Sequence, residues 1–325
     1  MIRAVGSPRG AAPIAYLLLV AGMALLWVGG EALVRGASGL ALRAGLAPLA
    51  VGLTVVAFGT SAPELVVSLG ATFQGAGDVA VGNVVGSNIA NVALILGLAA
   101  LVRPIEVRTR VIRLDTPLVI VSSAALLACL ADERIQRWEG ALLFAGVVAY
   151  CWLNLHLARA ERRSLRDDEA LAVPERPGRP LADAAWVVAG IAGLVAGGKL
   201  FVDAAVDIAQ TLGLSEAVIG LTVVAVGTSL PELATSVIAS ARDQGDIAVG
   251  NVLGSNVFNV LCIAGLTAAI QPLARGGVTW ADRGIMLGLG VVLLPLMHSG
   301  FRLNRWEGAG LLASWIAYTA WRVIV

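Results

Sequence analysis

One long stretch of this chain occurs twice. The segment from Gly59 to Ile105 returns as Gly227 to Leu273, so that each residue of the second copy carries a number 168 higher than its counterpart. Of the 47 aligned positions 25 are identical without a gap, and the identities fall mainly on Gly, Pro, Glu, Ser, Thr and Asn. Because a lipid-facing helix excludes polar groups, a duplicated set of them within apolar segments indicates a shared interior site.

The composition restricts the class of protein. The chain has 325 residues, of which 58% are hydrophobic and 14% charged, far more apolar surface than a soluble domain could bury. We therefore expect an all-α polytopic membrane protein. The repeats contain no Ser/His pair, zinc-binding His cluster or paired aspartates of an intramembrane protease, so an enzyme is not expected. The formal net charge is +1 without a basic block, so no nucleic-acid partner is expected. The three cysteines and two histidines share no metal-ligand spacing, and no cofactor is expected.

The apolar segments have the length that a bilayer requires, about 20 residues each. They fall into two groups of five, a first repeat over 13–157 with its motif at 59–105 and a second over 182–325 with its motif at 227–273. A polar, proline-containing linker at 158–181 joins them. The sequence predicts ten transmembrane helices, near 13–42, 47–72, 79–102, 112–130, 138–157, 182–211, 215–240, 247–270, 280–298 and 305–323.

The number of helices in each repeat fixes their relative orientation. Five is odd, so the second repeat enters the membrane from the opposite side and the two repeats are inverted. If the N-terminus is outside, the cytoplasmic loops hold 14 basic residues and the opposite face holds 7. The positive-inside rule then predicts a multi-pass protein of the cell membrane, with both termini outside and the linker 158–181 in the cytoplasm.

Each motif contains a helix breaker beside a carboxylate. Pro63 removes a backbone donor and clashes with the carbonyl of Gly59, four residues earlier. The hydroxyls and carboxylate within one turn of this point, together with freed carbonyls, can converge. The candidate ligands here are Ala57, Thr60, Ser61 and Glu64, and in the second copy, with Pro231 as the breaker, Ala225, Thr228, Ser229 and Glu232.

The third and eighth helices supply further oxygen donors. Ser87 and Asn91 are four residues apart and share a helix face, as do Ser255 and Asn259. The pairs Gly82/Gly86 and Gly250/Gly254 form GxxxG patterns that admit close approach of another helix. We expect helices two, three, seven and eight to be broken and to form an ion site near the middle of the membrane.

The two glutamates need a partner. An ionised carboxylate at the bilayer centre costs at least about 2.5 to 3.5 kcal/mol on insertion scales, and neither motif core contains a basic residue. A bound cation is the natural partner, and a donor set of carboxylate, hydroxyl, amide and carbonyl oxygens favours Ca²⁺ or Na⁺ over zinc or copper. The alternative is that Glu64 and Glu232 are protonated and hydrogen-bonded to hydroxyls as interhelical links. Inorganic cations and the lipid bilayer are thus the expected partners.

The motifs resemble a known family. GTSAPEL with GNVVGSNIAN, repeated as GTSLPEL with GNVLGSNVFN, is similar to the two alpha-repeats of the calcium/cation antiporter superfamily, in its sodium/calcium exchanger branch of prokaryotic type. The resemblance implies ten helices and exchange of Ca²⁺ for Na⁺ by alternating access, with helices one and six sliding across a fixed bundle. It implies ion ligands at Ala57, Thr60, Ser61, Glu64, Ser87, Asn91, Ala225, Thr228, Ser229, Glu232, Ser255 and Asn259.

One departure and two alternatives accompany this resemblance. Some family members, potassium-dependent exchangers among them, have aspartate at the position of Asn259, so this chain has two carboxylates where they have three. Potassium dependence is therefore not expected. A proton-coupled cation antiporter is the second interpretation, although that branch typically has a glutamate close after its GN and Val84 to Ser87 contain none. A passive cation channel is the third.

Charged pairs on helices one and six have a separate interpretation. Glu31 with Arg35, and Lys199 with Asp203, are each four residues apart. This spacing predicts local ion pairs on the helix surface, not substrate ligands.

Overall fold

The computed structural model describes residues 11–44, 47–167, 180–211 and 227–324, and these are almost entirely helical. Every predicted helix that lies wholly within them is observed, with its ends close to the predicted ones apart from the fifth. The helices are α1 (Ala11–Ala44), α2 (Pro48–Thr60), α3 (Ala62–Phe73), α4 (Gly77–Val102), α5 (Val111–Cys129), α6 (Arg137–Asp167), α7 (Pro180–Thr211), α8 (Leu230–Ala241), α9 (Gly245–Ile270), α10 (Trp280–His298) and α11 (Arg305–Ile324).

Seven of the described helices are long and apolar enough to cross a membrane, namely α1, α4, α5, α6, α7, α9 and α10. The pair α2 and α3, bent by 42° at its break, makes an eighth span if it is counted as one. The predicted span near 215–240 begins among residues outside the described ranges, and α8 is its described part. The terminal helix α11 has 20 residues and is not one of the seven. The prediction of a multi-pass helical membrane protein is confirmed.

Two short strand pairs connect loops that are distant in sequence. β1 (Ile105–Glu106) follows α4 and pairs antiparallel with β4 (Arg302–Leu303), which precedes α11. β2 (Arg134–Ile135) precedes α6 and pairs antiparallel with β3 (Leu273–Ala274), which follows α9. The loops on either side of α5 therefore each meet a loop beside α10.

The long helices α1 and α7 pack against each other through glycines. A Cβ on Gly22 would lie 2.7 Å from the backbone nitrogen of Phe201, and one on Gly29 would lie 2.7 Å from that of Leu194. The partner number falls by seven as the α1 number rises by seven, so the helices are antiparallel. Small residues allow the two backbones to come this close. Within lipid, helices associate through van der Waals packing because the hydrophobic effect does not act between them.

Reciprocal glycine contacts join the two halves of the chain. A Cβ on Gly140 of α6 would meet the carbonyl oxygen of Gly265 of α9 at 2.7 Å. The repeat-related contact is the same, since a Cβ on Gly308 of α11 would meet the carbonyl oxygen of Gly97 of α4 at 2.7 Å. Each half thus packs its last helix against the third helix of the other, and α4 and α9 become the most buried of the candidate spans.

The GxxxG prediction has a clear outcome in the second copy. A Cβ on Gly250 would meet the carbonyl oxygen of Leu49 at 2.9 Å and the Cα of Gly52 at 3.0 Å, so α9 contacts the backbone of α2. The residues related by the repeat to Leu49 and Gly52 are 217 and 220, which lie outside the described ranges. The partner expected for Gly82 and Gly86 therefore falls among residues that the structure does not describe.

The prediction that helices three and eight are broken is wrong. α4 and α9 are continuous, and each contains a wider π-helical segment instead, at Asn91–Leu96 and at Phe258–Ala264. The physical reason is that neither helix contains a proline, so no backbone donor is lost. A π-helical turn displaces side chains from the α-helical register without interrupting the backbone hydrogen bonds.

Three further observations correct or extend the sequence-based predictions. Glu31 does not pair with Arg35; its Oε1 lies 2.7 Å from the guanidinium of Arg242, after the end of α8. Arg35 instead lies over the ring of Trp186, 4.8 Å from the ring centroid, because α7 packs along α1. The fifth helix is longer than predicted, since α6 continues to Asp167.

Candidate functional site

The break between α2 and α3 has the backbone geometry that the sequence predicts. Ser61 has φ −82° and ψ 5°, outside the helical range, and Pro63 has no N–H to donate to the carbonyl of Gly59. The equivalent Ser229 has φ −90° and ψ 9° immediately before α8. Both serines therefore stand at interruptions that expose backbone and side-chain groups toward the interior.

The glutamates and serines at these breaks form reciprocal contacts between the two halves. Ser61 Oγ donates to Glu232 Oε1 at 2.9 Å. Ser229 Oγ donates to Glu64 Oε1 at 3.2 Å. All four side chains are buried, with exposed fractions of 1 or 2%. Each carboxylate is thus oriented by a hydroxyl from the other repeat, and the two interruptions lie side by side.

The two threonines of the motif have different surroundings. Thr60 is buried, and its Oγ1 donates to Asn251 Oδ1 at 3.0 Å. Thr228 is half-buried, and its Oγ1 has no hydrogen-bond partner among the described residues. The site is therefore not perfectly symmetric, although its residue types are.

The serines of α4 and α9 also reach the breaks. Ser87 Oγ lies 3.4 Å from Ser229 Oγ. Ser255 Oγ donates to the carbonyl oxygen of Ala57 at 3.5 Å. The counterpart of Ala57 is Ala225, which falls outside the described residues. These contacts connect α4 to the break at Ser229 and α9 to the carbonyl before the break at Ser61.

Four asparagines meet where α4 crosses α9. Asn91 Nδ2 donates to Asn256 Oδ1 at 3.0 Å, and Asn259 Nδ2 donates to Asn88 Oδ1 at 3.0 Å. Asn88 Nδ2 donates to the carbonyl oxygen of Asn256 at 3.3 Å, and Asn256 Nδ2 donates to that of Asn88 at 3.5 Å. The network has the same two-fold pattern as the serine and glutamate contacts.

Several buried oxygens of the predicted ligands have no hydrogen-bond partner in the described part of the chain. They are Oε2 of both glutamates, Oδ1 of both ligand asparagines and Oγ1 of one threonine, that is, Glu64, Glu232, Asn91, Asn259 and Thr228. Buried polar groups are normally satisfied, so these leftover acceptors are available to a bound cation. An all-oxygen set with two carboxylates is suited to a hard cation.

Asparagines outside the predicted ligand set support it. Asn83 Nδ2 donates to Ser68 Oγ at 3.0 Å and to the carbonyl oxygen of Glu64 at 3.3 Å. Asn251 makes the equivalent bonds to Ser236 Oγ at 2.9 Å and to the carbonyl oxygen of Glu232 at 3.3 Å. These residues are identical in the two copies, as are Asn88 and Asn256, and that identity is the sequence signal that points to them.

Comparisons with known proteins identify the family. A family model described as sodium/calcium exchanger protein matches the chain twice, over residues 14–155 and over residues 183–324. The sodium/calcium exchanger MaX1 of Methanosarcina acetivorans is 33% identical over 338 residues, covering 93% of this chain and 97% of that protein. Inner membrane protein YrbG of Escherichia coli K12 is 38% identical over 288 residues, covering 87% and 88% respectively.

A solved structure is similar over almost the whole chain. The sodium-calcium exchanger NCX_Mj, soaked with 2.5 mM Na⁺ and 10 mM Sr²⁺, matches with a TM-score of 0.82 and 27% sequence identity, covering 95% of this chain and 99% of that one. The family model and these full-length similarities show that this chain belongs to the sodium/calcium exchanger family and is a multi-pass membrane cation transporter, not an enzyme.

Proposed function

We propose that this protein exchanges Ca²⁺ for Na⁺ across the cell membrane by alternating access. The observation that carries the proposal is the cluster at the two helix breaks, where Glu64 and Glu232 each accept a hydrogen bond from the opposite repeat and each keep one buried oxygen unpaired. The relatives MaX1 and NCX_Mj are themselves named as sodium/calcium exchangers, which supports the choice of ions.

The unpaired oxygens favour an ion site over interhelical links. If the glutamates were protonated links, each would donate from one carboxyl oxygen to the serine of the other repeat, and its second oxygen would be a buried acceptor that needs a donor. Glu64 Oε2 and Glu232 Oε2 have no such partner among the described residues. Two ionised carboxylates carry a formal charge of −2, which one Ca²⁺ or two Na⁺ would neutralise. The two alternative loads therefore have equal charge.

The proposed ligands come from both repeats. Hydroxyl, carboxylate and amide oxygens of the two motifs would coordinate the ion, together with the backbone carbonyls of the alanines before each break. The set is Ala57, Thr60, Ser61, Glu64, Ser87, Asn91, Ala225, Thr228, Ser229, Glu232, Ser255 and Asn259.

The proposed architecture is ten spans in two inverted repeats, 13–157 and 182–325. The strand pairing of β2 with β3 supports this count, because it requires an even number of spans between Arg134 and Leu273. The helices α6, α7 and α9 supply three, so the segment near 215–240 would be the fourth. The pairing of β1 with β4 likewise requires an even number of spans between the two loops and supports six.

The proposed orientation has both termini outside and the linker 158–181 in the cytoplasm. It rests on the excess of basic residues in the odd-numbered loops. The loops of β1 and β4 would then both be cytoplasmic, and those of β2 and β3 would both face outward.

The decisive experiment is calcium-45 uptake into proteoliposomes that contain the purified protein. We expect uptake that requires sodium inside the vesicles and that fails in the double variant Glu64→Gln/Glu232→Gln. Uptake driven by a proton gradient without sodium would indicate a proton-coupled antiporter. Uptake down a calcium gradient with no counter-ion at all would indicate a passive channel and would overturn the exchange proposal.

A further inference from the structure

Two asparagines outside the proposed ligand set contact the two asparagines within it. Asn88 Oδ1 accepts from the amide nitrogen of Asn259, and Asn256 Oδ1 accepts from the amide nitrogen of Asn91, both at 3.0 Å. In each pair the two residues belong to different repeats. All four side chains are at most 2% exposed. The contacts are therefore buried and cross from α4 to α9.

An asparagine side chain can serve a cation in only one of its two orientations. Its amide carries one acceptor oxygen and one donor NH₂ of similar size, and a half-turn of the group exchanges them. With the NH₂ toward a cation the interaction is repulsive. The bond from Asn259 Nδ2 to Asn88 Oδ1 fixes the orientation of the Asn259 amide, with its nitrogen toward Asn88 and its Oδ1 unpaired. Asn256 fixes the amide of Asn91 in the same way.

The orienting asparagines are themselves held in place. Asn88 Nδ2 donates to the carbonyl oxygen of Asn256 at 3.3 Å and lies 3.8 Å from the sulfur of Met286. Asn256 Nδ2 donates to the carbonyl oxygen of Asn88 at 3.5 Å. Since their NH₂ groups are used in this way, their own oxygens face the ligand asparagines as acceptors.

The positions of the unpaired atoms distinguish a network that orients the ligand amides from one that only packs two helices together. Within the four asparagines, the side-chain atoms left without a partner in the described part of the chain are Asn91 Oδ1 and Asn259 Oδ1. If the network served only to join α4 to α9, the unpaired oxygens could lie on any of the four asparagines. The spare oxygens belong to the two residues that the proposed ion site uses.

We propose that Asn88 and Asn256 are positioning residues for ion binding, each fixing the amide of the ligand asparagine in the opposite repeat. Asn88 acts through Asn259, and Asn256 acts through Asn91. This inference rests on the proposed function, because it assigns the unpaired amide oxygens to a bound cation.

The test uses aspartate, which presents an oxygen in either orientation. Equilibrium binding of calcium-45 to the purified protein is measured for Asn88→Ala, alone and combined with Asn259→Asp or with Asn91→Asp. We expect Asn88→Ala to weaken calcium binding about fivefold to tenfold, in the range of one hydrogen bond. In the Asn259→Asp background the same substitution should change binding by less than about twofold, whereas in Asn91→Asp its full effect should persist.

The mirror experiment is the matched control, because the repeat supplies an equivalent pair. Asn256→Ala should lose its effect in Asn91→Asp and keep it in Asn259→Asp. Both double variants have the same formal charge, so a difference between them cannot come from net charge. If Asn88→Ala is not recovered as a monodisperse protein, Asn88→Leu removes the same acceptor with a similar volume and replaces it in the series.

The possible outcomes separate this inference from the proposed function. An equal loss in all backgrounds would mean that Asn88 and Asn256 only stabilise the helix crossing, and the positioning role would be wrong while the ion site stood. Failure of the wild-type protein to bind calcium would overturn the proposed function and this inference with it. The positioning role would be supported if Asn88→Ala lost its effect only in Asn259→Asp, and Asn256→Ala lost its effect only in Asn91→Asp.

Discussion

Ser61 donates a 2.9 Å hydrogen bond to the carboxylate of Glu232, a residue of the other repeat. The repeat-related Ser229 returns the contact to Glu64 at 3.2 Å. Neither glutamate is oriented by the serine of its own motif in these contacts. The geometry of each carboxylate therefore depends on how the two halves of the chain are assembled, and a movement between the halves would alter both carboxylates at once.

Removing either carboxylate charge should abolish calcium transport. Glu64→Gln and Glu232→Gln each preserve side-chain size but halve the formal charge that offsets the lost hydration of a dication. We expect uptake at the level of empty vesicles for both variants, measured with calcium-45 in proteoliposomes. Glu106→Gln is the control, because Glu106 is exposed at a loop and should transport normally. Uptake near the wild-type level in either site variant, at equal protein content, would refute the site assignment.

The reciprocal serines should matter more than other buried serines. A hydrogen bond to a charged group contributes about 1.5 to 3 kcal/mol, so Ser61→Ala and Ser229→Ala should each weaken calcium binding by roughly 10- to 100-fold. Ser122→Ala is a matched control, since Ser122 is also buried but its Oγ donates to the backbone of Val119. Calorimetric titration of the three variants provides the comparison. Equal affinities in all three would show that the serines do not orient the carboxylates for binding.

Enlarging a glycine at the contact between α2 and α9 should destabilise the protein. A Cβ on Gly250 would lie 2.9 to 3.0 Å from backbone atoms of Leu49, Gly52 and Leu53, which cannot move aside as a flexible side chain could. Overpacking of this kind costs typically 1 to 3 kcal/mol, so Gly250→Ala should lower the midpoint of thermal unfolding in detergent. Gly288→Ala in α10 should not, because no described atom lies within 4 Å of its Cβ position.

The topology can be tested with single cysteines. After replacement of Cys129, Cys151 and Cys262, a cysteine at Ser164 should resist impermeant thiol reagents in intact cells, because the excess of basic residues predicts a cytoplasmic linker. Asp132→Cys serves as the opposite control, since Asp132 is exposed in the loop before β2 and should label without permeabilisation. The reverse labelling pattern would invert the proposed orientation.

Much of the helical pattern follows from the sequence because apolar length and proline act locally. The interruption at Ser61 is set by Pro63 two residues later, and its duplicate by Pro231. The π-helical segment at Asn91–Leu96 has no comparable local signal, so the sequence does not predict that α4 continues through it. The breaks lie beside Pro63 and Pro231, whereas the polar residues of α4 and α9 do not interrupt those helices.

Side-chain partners depend on packing between distant segments and could not be predicted. Glu31 is four residues from Arg35, yet it pairs with Arg242 because the end of α8 lies beside α1. The duplication identified Ser61 and Glu232 as site residues, but not that they contact each other. A repeat alignment gives the members of a symmetric site, whereas the contacts between copies depend on how the copies are packed.

The replacement of Asn259 by aspartate should strengthen sodium binding. A site with two carboxylates is neutralised by one Ca²⁺ or two Na⁺, and a third Na⁺ would leave an uncompensated positive charge in a medium of low dielectric constant. A third carboxylate at position 259 would offset that charge. We therefore expect sodium to compete more strongly with calcium in Asn259→Asp than in the wild-type protein. We also expect the wild-type protein to bind sodium more weakly than relatives with three carboxylates.

The measurement is inhibition of calcium-45 binding by increasing sodium, with the ionic strength held constant. Asn91→Asp is the matched control, because it adds the same charge at the repeat-related position. An increase in sodium competition in both variants would indicate that net charge sets sodium occupancy. An increase in Asn259→Asp alone would indicate that the position of the added carboxylate also matters. Unchanged or weaker inhibition in Asn259→Asp would refute the prediction. In this variant the aspartate can no longer donate to Asn88 Oδ1, so the double variant Asn88→Ala/Asn259→Asp should show the same sodium competition as Asn259→Asp.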